Sequence, residues 1–184
     1  MNYKLIITIL ILCLTIISSC NSNNITGNTV LEQQQVQINQ PVIVHVNGRS
    51  MTGLLENNHN YTFDFNYTKQ IEKGDIVLYD YKGLEGGVVK QVKARQGDHF
   101  ELKKQKDTNY YYLYVNEELV TNSYNKPIKI NNQGYRMLHL YEKDYHNTIP
   151  PNTFLLLGNK PYNTIDSTKF GLISRQDILG VYVE

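Results

Sequence analysis

Residues 42–51 read VIVHVNGRSM, a β-branched run interrupted only by His45 and closed by the pair Asn47-Gly48. β-Branched side chains are stiff at χ1 and pack well on a pleated surface. Asn-Gly is a strong turn signal. The stretch therefore reads as a strand that stops at a turn. The same grammar recurs along the chain. Tyr61-Thr62-Phe63-Asp64-Phe65 alternates with period two, as a half-buried strand does. Asp75-Ile76-Val77-Leu78-Tyr79 follows Lys73-Gly74, and the run from Val88 to Ala94 follows Gly86-Gly87. Tyr110 to Val115 is aromatic and β-branched and ends at Asn116-Glu117. Phe154 to Leu157 ends at Gly158, and Ile178 to Val183 closes the chain. No segment offers a long helical period with caps. The expected class is all-β, with a mainly antiparallel sheet.

The chain has 184 residues, of which 41% are hydrophobic and 19% charged, and 18 basic residues nearly cancel 17 acidic ones. That length suits one domain. The balance of charge offers no basic footprint for nucleic acid. Both cysteines, Cys13 and Cys20, lie near the N-terminus, so no disulfide or cysteine-bound zinc site is expected beyond them. The five histidines are scattered without HExxH spacing, so neither a metal site nor a cofactor is expected.

Residues 1–20 place Lys4 before an apolar run from Leu5 to Ile17, then Ser18, Ser19 and Cys20. This order fits an export segment. The run is short for a spanning helix. Ile17-Ser18-Ser19-Cys20 resembles a bacterial lipobox, in which the cysteine is lipidated; an uncleaved membrane anchor is the alternative. Either arrangement holds the following domain at a membrane surface. Residues 21–41 are polar and rich in Asn and Gln, which suits a solvated linker. The folded domain is expected over residues 42–184.

A serine hydroxyl is not ionised at neutral pH, so a nucleophilic serine needs a base beside it and donors for the oxyanion it creates. Ser50 follows the first strand at a glycine turn, a place where serines are common without chemistry. In Val88-Val89-Lys90-Gln91-Val92-Lys93-Ala94-Arg95, strict alternation puts Val88, Lys90, Val92 and Ala94 on one face. Lys90 is then the one charge on an apolar face, and a desolvated lysine loses its proton more easily. A lysine whose stem covers apolar surface while its head reaches water gives the same pattern.

Four blocks in order resemble those of bacterial type I signal peptidases and the related conjugative-transfer pilin peptidases. They are Gly48-Arg49-Ser50-Met51; Lys73-Gly74-Asp75-Ile76-Val77; Val89-Lys90-Gln91-Val92 with Gly97-Asp98; and residues 158–167, from Gly158 to Ser167, with Phe170-Gly171. The resemblance implies an antiparallel β catalytic core with a small inserted β-subdomain, here at about residues 106–147. It implies a serine endopeptidase with Ser50 as nucleophile and Lys90 as general base. Gly48, Met51, Thr164, Asp166 and Ser167 would support the site, with the Thr164 hydroxyl orienting the lysine and the Ser50 N–H facing the oxyanion. The implied substrate is an exported preprotein or pilin-like chain with small residues at −1 and −3, cut on the extracytoplasmic side of a bacterial envelope.

The sequence also departs from that pattern. Gly53 stands where a proline is usual, Gln91 where an arginine follows the base, Asn159 where an aspartate is usual, and Thr168 where an arginine pairs with the position of Asp166. Lys169 is a possible replacement for that arginine. Three readings stay open: a general signal peptidase, a dedicated maturase of a pilin or conjugation-linked substrate, and a degenerate member that binds exported chains without cutting them. A Ser-His-Asp site built on His45 lacks a matched aspartate.

Overall fold

The computed structural model describes residues 40–81, 86–160 and 164–184. The export segment, Cys20 and all but the last residues of the linker lie outside the described residues, as do Pro161, Tyr162 and Asn163 of the last block. Among the described residues, no helix is long and apolar enough to cross a membrane.

The chain opens with β1 (Val42–Val46), β2 (His59–Asp64), β3 (Ile76–Tyr79) and β4 (Val88–Arg95). Then come β5 (Phe100–Lys104), β6 (Tyr110–Val115), β7 (Glu118–Leu119) and β8 (Lys129–Asn131). Helix α1 (Asn132–Asp144), β9 (Thr153–Leu157), the short α2 (Ser167–Phe170), β10 (Ile173–Ser174) and β11 (Ile178–Tyr182) follow. A seven-stranded sheet runs in the order β1-β2-β11-β3-β4-β9-β10, and all its pairings are antiparallel. A second sheet of four strands, β5 to β8, is organised around β6. The class is the antiparallel β architecture the alternating segments led us to expect, and those segments fall on β1, β2, β3, β4, β6, β9 and β11.

Strand β4 departs from strict alternation. Val92 faces Leu156 and Ala94 faces Leu155, so Lys93 is the extra residue of a bulge. The bulge reverses the side on which later residues point. Val88 and Val92 pack with Val77, Leu156 and Val181. Ala94 instead joins Phe100, Leu113, Leu138, Leu155 and Leu157. The expectation that Ala94 shares the Lys90 face is thus corrected, because a period of two does not survive an inserted residue.

Helix α1 is the second correction, since a helix was not expected. Its inward stripe is Gly134, Leu138 and Glu142, with Tyr135 and Tyr141 half-buried beside it. A glycine, a glutamate and tyrosines do not register as an apolar period. The signals that were available are its caps. Asn131 accepts from the Gly134 N–H at 2.9 Å, and Lys143 sits in the last turn. Gly134 lets the helix approach closely: a Cβ there would lie 2.9 Å from both Ile130 Cγ2 and Thr168 Cβ. Glu142 is buried yet satisfied, accepting from the Leu102 N–H at 2.6 Å and pairing with His139 at 2.7 Å.

The close approach at Gly134 is testable. Leucine at this position must push apart α1, β8 and α2, so Gly134→Leu should lower stability by about 1–3 kcal/mol despite its better helix propensity. Urea unfolding followed by circular dichroism measures this. An unchanged midpoint would show that the contact has room to relax.

Candidate active site

Strand β1 delivers Ser50 through the turn Asn47-Gly48-Arg49. Gly48 adopts φ +130, a region that suits glycine, and its N–H donates to Asn57 Oδ1 at 2.7 Å. Beyond Ser50 the chain coils back. The N–H groups of Leu54 and Leu55 both donate to Met51 O at 2.9 Å, while buried Met51, Leu55 and Val46 form their own apolar cluster. Met51 therefore anchors the loop from below, and Ser50 is left half-buried at its rim.

Lys90 comes from the middle of the sheet. It is 2% exposed, and its Nζ donates to Ser50 Oγ at 2.9 Å and to Val89 O at 2.7 Å. Residues 40 apart in sequence meet because β3 and β9 flank β4 and fix its register. Burial pushes the Lys90 ammonium down to a pKa of about 8, against the opposing pull of the Asp166 charge. At that value the amine is substantially neutral in mildly alkaline solution and can accept the Ser50 proton. Ser50 and Lys90 line a cleft of about 290 Å³ with Val44, Val46, Leu78 and Ile165.

Asp166, 1% exposed, caps α2 and is satisfied by neutral donors. One carboxylate oxygen accepts from the Gly158 N–H at 3.0 Å and from the Thr164 hydroxyl. The other accepts from the Thr168 N–H at 3.0 Å and its hydroxyl at 2.7 Å. Thr168 thereby supplies the donors that an arginine would have offered Asp166. Lys169 points elsewhere, to Gln133 Oε1 at 3.1 Å. The Thr164 hydroxyl faces Asp166, and Lys90 donates to Ser50 and Val89 instead. Fully buried Ser167 uses its Oγ to accept the Leu156 N–H at 2.9 Å, which ties α2 to β9.

The remaining departures also find partners. Gln91 donates to Gly74 O at 2.9 Å and accepts from Lys93 at 2.7 Å. Gly53 has φ +95, which proline cannot adopt, and a Cβ there would meet the Tyr124 ring at 2.7 Å. Asn159, 1% exposed, bonds both the Ser50 loop and Ser123. Both His45 ring nitrogens are engaged by amide oxygens, Asn58 Oδ1 at 3.0 Å and Asn60 Oδ1 at 2.8 Å.

Strict alternation would set Lys93 with Gln91 and Arg95 on a polar face opposite Lys90, and the burial of Lys93 corrects that expectation. It is 8% exposed, donates to Gln91 Oε1 and to Thr121 O at 3.0 Å, and is also lowered to about 8, by burial first and by Lys73 second. Desolvation alone therefore does not single out Lys90; contact with Ser50 does. Among the described residues no group of three or more His, Cys, Asp or Glu could hold a metal ion.

Residues 5–183 match the family described as signal peptidase, peptidase S26, and the chain belongs to that family. Proteins of Staphylococcus aureus strains COL and MRSA252, both named inactive signal peptidase IA, are 32% identical over 111 residues, which is 60% of this chain and 58% of theirs. The chain thus spans under two thirds of the length of these curated relatives. The crystal structure of a signal peptidase I from Enterococcus faecalis V583 superposes with a TM-score of 0.41 at 20% identity, covering 62% of this chain and 98% of that one.

The two buried lysines predict a pH dependence of stability. Below about 8 both are protonated in folded and unfolded chains, and the folded state carries the burial cost in full. Between about 8 and the ordinary 10.5, the unfolded chain holds protons that the folded one has released, so stability rises with pH. Lys90→Met should be more stable than the wild type near neutral pH, and its rise across this window should be about halved, since Lys93 remains. Thermal unfolding at a series of pH values reads both effects; an undiminished rise would place the low lysine pKa elsewhere.

Proposed function

We propose that this signal peptidase family member is a membrane-tethered serine endopeptidase that removes signal or leader peptides from exported proteins by a Ser50/Lys90 dyad. The reading is carried by the 2.9 Å contact of Lys90 Nζ with Ser50 Oγ inside a desolvated cleft. Neutral Lys90 takes the Ser50 hydroxyl proton as Oγ bonds to the scissile carbonyl carbon, and the carbonyl electron pair moves to oxygen. The Ser50 N–H faces that oxyanion. Collapse of the tetrahedral adduct breaks the C–N bond, and the Lys90 ammonium gives its proton to the leaving amine. Water, deprotonated by the same amine, then attacks the ester, and the proton returns to Ser50 Oγ.

Gly48 and Met51 shape the nucleophile turn. Thr164, Asp166 and Ser167 hold the wall behind Lys90, and the buried Asp166 charge keeps the lysine from falling further. The inserted subdomain of the catalytic domain covers about residues 106–147, which takes in β6, β7, β8 and α1. The N-terminal segment places that domain on the extracytoplasmic face of a bacterial envelope, held by lipidated Cys20 across the polar linker. The substrate is an exported preprotein or a pilin-like chain with small residues at −1 and −3.

A second reading, a member that binds exported chains without cutting them, is favoured by the name of the similar Staphylococcus aureus proteins, inactive signal peptidase IA. Cleavage assays on a panel of exported preproteins separate the two. Ser50→Ala and Lys90→Ala, folded by circular dichroism, should each lose at least about a thousandfold in rate, and the double variant should lose no more. The wild-type rate should climb with pH through about 8 as Lys90 becomes neutral. Full activity in folded Lys90→Ala would remove the dyad, and a wild type that binds but never cuts would establish the second reading.

The anchor has its own test. Fatty-acid labelling should mark the wild type and spare Cys20→Ala, since a diacylated cysteine anchors firmly. Equal labelling of both would restore the uncleaved anchor.

A further inference from the structure

We propose that Asn159 is a positioning residue for Ser50, and that it acts by fastening the nucleophile loop to a turn of the second sheet, residues 122–125. The proposal rests on the reading of Ser50 as nucleophile. Asn159 donates its backbone N–H to Ser50 O at 2.7 Å, and Lys160 adds a second donor at 3.3 Å. The Asn159 side chain then spans two segments. Its Nδ2 donates to Thr52 O at 2.8 Å and to Ser123 Oγ at 2.7 Å, while its Oδ1 accepts the Ser123 N–H at 2.9 Å.

The amide chemistry is specific. Turned over, the group would set oxygen against Thr52 O and its own N–H against that of Ser123, so the network fixes its orientation. A carboxylate in its place would offer no donor to Thr52 O and would bring a charge into a site 1% exposed.

The turn that receives it is built to stay in place. Asn122, 6% exposed, donates its N–H to Lys126 O at 2.9 Å and accepts at Oδ1 from the Tyr124 and Lys126 N–H groups, both at 3.0 Å. Asn125 takes the φ of 57 that closes it. Tyr124 makes an independent contact, its ring resting where a Gly53 side chain would be. Two adjacent residues of one turn thus hold the segment Ser50-Met51-Thr52-Gly53, by hydrogen bonds through Asn159 and by packing on Gly53. The second sheet thereby sets where Ser50 Oγ sits relative to Lys90 Nζ.

The test uses the full chain with its N-terminal segment. Asn159→Ala should lower kcat on a preprotein about 10–100-fold with KM within about twofold, because misplacement acts on the reacting geometry. Ser123→Ala should give a smaller loss, and the two losses should not add. Asn159→Asp should also shift the midpoint of the pH–rate profile upward, since a buried carboxylate favours the Lys90 ammonium; a merely structural role lowers the melting temperature without moving that midpoint. A folded Asn159→Ala with wild-type kcat overturns the proposal. Should the wild type cleave no preprotein, the peptidase reading fails, and hydrogen exchange decides the positioning on its own. Faster exchange of the Thr52, Leu54 and Leu55 amides in Asn159→Ala upholds it, and unchanged exchange overturns it.

Discussion

The constraint on which this structure turns is the burial of the Lys90 amine against Ser50. An ammonium removed from water is costly, and its desolvation is not repaid here by a direct carboxylate partner. Its hydrogen bonds go to a hydroxyl and a backbone carbonyl, with Asp166 acting through its charge. The fold must therefore hold a destabilised group in place. It does so by setting Lys90 in a strand paired on both sides, between β3 and β9, so that the backbone has no freedom to carry the amine out to solvent.

Asp166 illustrates how the surroundings follow from that constraint. Buried polar oxygens are costly unless they find hydrogen-bond donors. Thr164, Thr168 and Gly158 supply neutral donors, and Asp166 in turn caps α2. Asp166 opposes the lowering of the Lys90 pKa, while Ser167 stitches the same helix to the central sheet. The departures at positions 53, 91, 159 and 168 form a consistent set, because each polar replacement has found a hydrogen-bond partner and the one glycine is covered by an aromatic ring.

Much of this was legible in the sequence. Seven strands announced themselves through β-branched or alternating runs bounded by glycine and asparagine, because a sheet with one buried face imposes that period. The order of the four motif blocks singled out Ser50 and Lys90, and placed Thr164, Asp166 and Ser167 together in the last block. Helix α1 stayed hidden because its buried stripe is made of glycine, glutamate and tyrosine, whose suitability depends on neighbours: Thr168 and Ile130 over Gly134, and the Leu102 N–H at Glu142.

Tertiary structure alone decided the rest. Alternation set Lys90 apart from Lys93, yet both are buried, and only the packing of β1's loop over β4 selects which amine meets a serine. The partners of Asp166 could not be read from spacing, since hydrogen bonds are set by where the backbone turns. Nor could the bridge from Asn159 to Ser123, 36 positions apart, be seen along the chain. The sequence by itself determined the strand periods and which candidate side chains stand in the motif blocks, because those depend on local chemistry. Distances, desolvation and hydrogen-bond partners belong to the assembled sheet, because they arise between residues that the chain keeps far apart.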